Sequence, residues 1–192
     1  SRMNEVTSLL DEMLQAAEKI KKELGSCQFL LPVAESINTD LIQQKLGSNP
    51  LDIKIIQGET YDVMNTCDTL IIASGSATLE AGIIGCPMVI VYKLSPLTYW
   101  LALRLVNTPY YGLVNIVAGE GVAPELIQSE ANAENIAAET LKFLKNPEHC
   151  QEVRDRLLRV RKNLGSPGVM KAVASSMANS LSKITPHEKI SL

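Results

Sequence analysis

Histidine is nearly absent from this chain. His149 and His187 are the two that occur, both in polar, exposed-looking surroundings, so a histidine-based metal centre or histidine-activated nucleophile is not expected. Cysteine is sparse and unpatterned. Cys27, Cys67, Cys86 and Cys150 show no C-x-x-C spacing and fall in or beside apolar segments, which reads as thiols kept reduced in a cytoplasm rather than disulfides or zinc ligands. Positive charge is not in excess, and a net charge of −3 argues against a broad nucleic-acid surface. No apolar run is long enough to span a bilayer, and no signal-peptide pattern occurs at Ser1. The sequence also lacks G-x-G-x-x-G, G-x-x-x-x-G-K-[ST] and G-x-S-x-G, which disfavours ordinary dinucleotide binding, P-loop phosphoryl transfer and a hydrolase nucleophile elbow. Internal repeats and low-complexity segments are absent.

What is present is an alternation of strand-like and helix-like segments. A length of 192 residues allows one domain or slightly more, with enough chain to bury a sizeable core. Apolar residues recur at helical spacing from Val6 to Leu24, and Gly25 stops the run. Strands are expected over 28–33, 53–57, 69–73 and 88–92, with Pro32 near the end of the first. A short helix ending near Leu46 and a second one capped by Thr60 separate the early strands. Later, 113–117 reads as a short strand, and Pro124-Glu125 reads as a helix start. Asn132 and Asn146-Pro147 read as the caps of two helices, the second ending in the basic cluster Arg156, Arg159, Arg161 and Lys162, read as a solvated face. A small-residue helix over 168–181 comes last. The sum is an α/β fold, a Rossmann-like doubly wound parallel sheet.

Residues 71–93 organise the chain. An apolar strand, the small-residue loop Ser74-Gly75-Ser76, a short helix ended by Gly85 and Pro87, and a second apolar strand form a βαβ unit. The loop lies at the carboxyl end of a parallel strand and opens a helix, where free N–H groups and the helix dipole favour an anion such as a phosphate. With Ser76 as N-cap, Thr78 sits in the first turn and Glu80 one turn up on the face of Ser76. Glu80 has two readings that spacing leaves equal: it accepts hydrogen bonds from two ribose hydroxyls beyond a diphosphate, or it only complements the dipole. Arg2 precedes the first helix as an anion-binding arginine would, although terminal arginines are commonly just solvated. Asn115, flanked by apolar residues, needs partners if buried. Glu125 reads either as a site residue or as a surface acid at a helix start. The run Ser95-Pro96-Leu97-Thr98-Tyr99-Trp100 opens a helix that is apolar nearly all round. It is either core or in contact with a membrane surface or lipid, aided by Lys93 and Arg104.

One feature of the alternation is out of place. A doubly wound domain normally begins on a central strand, whereas this sequence begins on a helix. Strands flanking the gap would lose ladder partners, so a fragment lacking its first strand is expected.

The segments 73–81, 87–102, 114–119 and 124–128 together resemble the lipid-A-disaccharide synthase family. Ser1-Arg2 followed by Glu5 matches the tail of that family's Pro-Gly-Ser-Arg-x-x-Glu motif. The likeness runs from Ser1 to about Leu181. Its Ser-Pro-Leu-Thr-Tyr-Trp run is highly specific, while the Gly-Ser-Ala-Thr-Leu-Glu loop is shared more loosely among glycosyltransferases. Ser76 stands where a threonine is common, a change that keeps the hydroxyl.

The resemblance implies the C-terminal, donor-nucleotide domain of a GT-B glycosyltransferase, with residues 1–165 binding a UDP-sugar and residues 166–192 packing towards an N-terminal domain not contained here. It implies an inverting hexosyltransferase of lipid A (lipopolysaccharide) biosynthesis that joins UDP-2,3-diacylglucosamine to 2,3-diacylglucosamine-1-phosphate (lipid X) and releases UDP. By carry-over, Arg2 contacts the diphosphate, Ser76 and Thr78 form the phosphate loop, Glu80 holds the ribose, and Asn115 and Glu125 line the cleft towards the sugar. The catalytic base is expected in the N-terminal domain, leaving no catalytic residue in this chain, and no metal or cofactor is required. A homodimer and a cytoplasmic enzyme peripheral on the inner membrane of a Gram-negative bacterium are further implications. Two alternatives stand beside this reading. One is a related UDP-sugar enzyme, such as a UDP-N-acetylglucosamine epimerase or the peptidoglycan glycosyltransferase. The other is a nucleotide-binding module without catalysis.

Overall fold

The computed structural model describes residues 3–35, 39–47, 51–95, 104, 109–165 and 168–184. Helix α1 (Met3–Leu24) buries the stripe Leu9, Ala16, Ala17 and Ile20 and ends where Gly25 takes a left-handed backbone. Strand β1 (Phe29–Val33), helix α2 (Thr39–Leu46), strand β2 (Ile53–Gln57) and helix α3 (Thr60–Thr66) follow. Glu59, not Thr60, occupies the cap of α3, and no side chain caps it. Strand β3 (Leu70–Ala73), helix α4 (Ser76–Ile84) and strand β4 (Met88–Tyr92) form the βαβ unit expected from the sequence. Gly85 closes α4 at φ 88°, its N–H donating back to Ala81 at 2.9 Å. A side chain there would have to adopt that left-handed backbone.

Two expectations are overturned beyond β4. Leu113–Ala118 is a helix, α5, rather than a strand. Gly112 caps it in extended conformation and Gly119 ends it in the left-handed region, so the flanking glycines outweigh the β-branched run between them. Glu125–Ile127 is strand β5, not a helix start, because its backbone is drawn into a ladder with β4. A 3-10 turn over Gln128–Glu130 then leads to α6 (Ala133–Lys145), α7 (Pro147–Asn163) and α8 (Val169–Ile184). Asn132 and Asn146 cap α6 and α7 as the sequence indicates, each accepting a backbone N–H at 3.0 Å.

Every strand pair is parallel, yet the strands form two sheets: β1 with β2, and β3-β4-β5. Helices α1 and α6 pack on each other, and α6 rests on β3 and β4. Helix α4 rests on the same two strands with α3, α5 and α7 around it, so the sheet is covered on both faces. Met88, Val89, Ile90 and Val91 of β4 are wholly buried and form the centre of the core. Lys93 Nζ meets Glu12 Oε1 at 2.9 Å, and the other Glu12 oxygen accepts the Ala133 N–H at 2.9 Å. This ties α1, the end of β4 and the start of α6 together. Between β1 and β3 lies a largely apolar slot of about 650 Å³.

All four cysteines are free; Cys86 is buried and the others are half-buried. His149 is not in open solvent but stacks on Phe143, with ring centroids 5.4 Å apart. Arg156 reaches Glu120 and the Gly121 carbonyl, each at 3.0 Å, while Arg159, Arg161 and Lys162 are exposed. Arg2, His187 and most of the helix expected from Ser95 onwards lie outside the described residues.

Candidate functional site

The carboxyl ends of the parallel strands are where an α/β sheet exposes loops able to close on a ligand. At the end of β3 the chain turns through Ser74 and Gly75 into α4. Gly75, not Ser76, is the cap, and Ser76 is the first helical residue. The Thr78 hydroxyl donates to the Gly75 carbonyl at 2.8 Å, and the Thr78 N–H reaches the same oxygen at 3.2 Å. Thr78 is therefore fully buried and closes the loop from beneath. Among the described residues the N–H groups of Ser76 and Ala77 have no acceptor, as the first turn of a helix leaves them. They point with the positive end of the α4 dipole, beside the exposed Ser76 side chain. Glu80 lies four residues on, on the face of Ser76, half-buried and with no hydrogen bond or ion pair among the described residues.

A second group of residues builds the neighbouring wall. Ser74 Oγ donates to the Tyr111 carbonyl at 3.2 Å. Glu125 accepts the Tyr111 and Gly112 N–H groups at 2.8 and 2.9 Å. Its carboxylate thus answers the N-terminus of α5 from across the fold rather than that of its own segment. Asn115 Nδ2 donates to Glu125 Oε1 at 2.7 Å and to the Ala123 carbonyl at 2.8 Å, and its Oδ1 accepts the Val122 and Ala123 N–H groups at 2.9 and 3.0 Å. Both amide donors and both lone pairs are used. A Cβ on Gly112 would fall 2.5 Å from Ile90 Cδ1 and 3.1 Å from Glu125 Oε1, so a side chain there would have to displace the tip of Ile90 and crowd the Glu125 carboxylate.

The structure therefore joins Ser74, Asn115 and Glu125 into one network around Tyr111, next to the loop that carries Ser76, Thr78 and Glu80. No hydrogen bond or ion pair joins Asn115 or Glu125 to Ser76 or Glu80. Three residues, Tyr111, Gly112 and Gln128, carry no signal in the sequence. Tyr111 and Gly112 enter through backbone groups, which leave no side-chain signature. Gln128 sits at φ 55°, the one non-glycine residue with positive φ among the described residues, and its amide accepts the Leu94 N–H at 2.9 Å and donates to the Leu94 carbonyl at 3.1 Å. That paired contact fixes the loop leaving β4. A strained φ in a residue without a Cβ-free excuse was the only available signal, and sequence does not carry it.

The family model described as lipid-A-disaccharide synthetase matches residues 1–179. The chain belongs to this family. It is 40% identical over 183 residues to the lipid-A-disaccharide synthase of Geobacter sulfurreducens and 42% identical over 183 residues to that of Geobacter metallireducens, in each case 95% of this chain and 48% of the relative. The synthase of Trichlorobacter lovleyi is 44% identical over 174 residues, 91% of this chain and 45% of the relative. The chain thus spans about half the length of the curated relatives it matches. Within the family match fall all six candidate residues, Arg2, Ser76, Thr78, Glu80, Asn115 and Glu125. No described helix is long and apolar enough to cross a membrane.

Proposed function

We propose that this chain is the UDP-donor-binding half of a lipid A glycosyltransferase, one that condenses UDP-2,3-diacylglucosamine with 2,3-diacylglucosamine-1-phosphate and releases UDP. The observation that carries the reading is the β3–α4 loop: two unanswered N–H groups at a helix N-terminus, with an unpartnered glutamate one turn further along. The N–H groups and dipole take the diphosphate, where negative charge grows as the donor bond breaks. Arg2 adds positive charge from the entry to α1. Ser76 offers its hydroxyl to the phosphate, and Thr78 acts by shaping the loop. Glu80 stands far enough along the helix to accept the ribose hydroxyls without opposing the phosphate. Asn115 and Glu125 hold the Tyr111 wall in place on the sugar side.

A catalytic base and the acceptor site belong to the remaining half of the parent enzyme. Helix α8 is the segment that meets that half, because residues 171–180 are exposed here and include Val173 and Met177. The enzyme works at the inner membrane surface of a Gram-negative bacterium, where its acylated substrates reside. Calorimetric titration of the chain with UDP tests the assignment. Saturable binding is expected, weakened roughly tenfold or more by Glu80→Ala through loss of charge-assisted bonds to the ribose. A folded chain with no measurable affinity for UDP would sink the proposal.

A further inference from the structure

We propose that Gln128 is a positioning residue of the donor site, whose side-chain amide holds the carboxyl end of β4 where the sugar of a nucleotide-sugar donor lies. The inference rests on the donor-site reading and deepens it by naming a residue on the sugar side. Strand β5 pairs with β4 as far as Ile127 opposite Tyr92, and there the backbone ladder ends. At the next residue the chain turns out of the sheet into the 3-10 turn Gln128–Glu130, which leads to α6. The chain leaving β4 therefore runs past its backbone partner. The Gln128 amide takes that partner's place. Its oxygen accepts the Leu94 N–H at 2.9 Å and its nitrogen donates to the Leu94 carbonyl at 3.1 Å, so one side chain serves both peptide groups as a ladder would.

The choice of residue carries the inference. Gln128 sits at φ 55°, in the left-handed region that glycine enters freely and asparagine enters more readily than most residues. Either would make the turn with less backbone strain. Glycine has no amide, and the asparagine amide is one methylene shorter, so neither reproduces the paired bonds to Leu94. The strain is tied to the reach of the amide rather than to the turn itself. Backbone strain of this kind collects where a binding surface must be held rigid. What is held here lies on the ligand side of the sheet. Leu94 follows the carboxyl end of β4, beside the β3–α4 loop, which is tied to β4 by the Ser74 N–H donating to the Val91 carbonyl at 3.0 Å. Glu125 opens β5 and holds the Tyr111 wall by accepting the Tyr111 N–H at 2.8 Å. Glu125 and Gln128, at the two ends of one short strand, thus fix the Tyr111 wall and the exit of β4 to the same support.

Calorimetric titration with UDP and with UDP-N-acetylglucosamine, a water-soluble donor analogue, tests this in the unaltered chain, Gln128→Gly and Gln128→Met. The glycine variant frees the backbone and removes the amide. The methionine variant keeps the length and the strained φ and removes only the two hydrogen bonds. Both should weaken UDP-N-acetylglucosamine about fivefold or more, the equivalent of one ordinary hydrogen bond, and change UDP by less than about twofold. Urea unfolding is followed alongside. In Gln128→Gly the relief of strain opposes the loss of two bonds, so the midpoint should move little. Methionine titrating like glutamine would show that the amide bonds carry nothing, and it would overturn the proposal. Equal loss of both ligands together with a lowered urea midpoint would make the role structural and overturn it too. If the unaltered chain binds UDP and both variants keep its affinity for both ligands, this proposal alone falls. If the folded, unaltered chain binds neither ligand, the donor-site reading falls with it.

Discussion

Asn115 shows how much a single amide can hold. Its side chain joins α5 to the backbone of Val122 and Ala123 and to Glu125, and it is 1% exposed. Asn115→Ala strands the Ala123 N–H and the Ala123 carbonyl in the interior, while the Val122 N–H keeps its bond to the Glu120 carbonyl, and the expected loss is about 2 kcal/mol of stability. Urea unfolding of the two chains measures it; a change below about 0.5 kcal/mol, typical of a surface site, would contradict the network. Cys86 is a residue of the opposite kind, buried for packing alone. Burial is the main cause pushing its thiol up to about 12, and the sulfur donates to the Cys67 carbonyl at 3.3 Å. At pH 8 it holds almost no thiolate, so a maleimide should label Cys150 and Cys27 well before Cys86 in the folded chain, as read by peptide mass mapping.

At the scale of elements, the tie between α1, β4 and α6 makes stability depend on pH. The hydrogen bond from Lys93 is the main cause holding the Glu12 carboxyl below its ordinary range, with the Ala133 N–H adding to it. A carboxyl with a depressed folded pKa stabilises fully above its unfolded value, near 4.3, and that contribution fades as pH falls through the lower folded value. Glu12→Gln should therefore lower the urea midpoint at pH 7 more than at pH 3.5. An equal shift at both pH values would remove charge from the explanation. Elements also mark where sequence was readable. Strands β2 and β4 and the Gly85 cap follow from apolar runs and turn residues that act locally. Helix α5 was misread because Val114, Ile116 and Val117 favour strands, although Gly112 and Gly119 bracket it with cap chemistry. Strand β5 is too short to show a period, and its existence depends on pairing with β4. The β3–α4 loop was legible for the same local reason as the strands, whereas the Tyr111 network draws on backbone groups far apart in sequence.

For the whole molecule, the parallel α/β plan was legible because β1, β3 and β4 are apolar runs bounded by turns and β2 is one broken inside only by Lys54. Division into two sheets, β1-β2 and β3-β4-β5, was not legible, because strand neighbours are set by long-range pairing rather than by local pattern. Helix α8 stands apart from the rest, with residues 171–180 all exposed. Limited trypsin digestion should cut at Lys171 before any site within residues 133–163, as followed by intact mass. Protection of α8 equal to that of α6 would show that it docks on this half after all.

Strand β4 is paired on both edges, to β3 and to β5, and that has a bearing on aggregation. A strand bonded on both sides offers no edge to another chain, so the wholly buried apolar run Met88–Val91 is withheld from edge-to-edge association for as long as the fold holds.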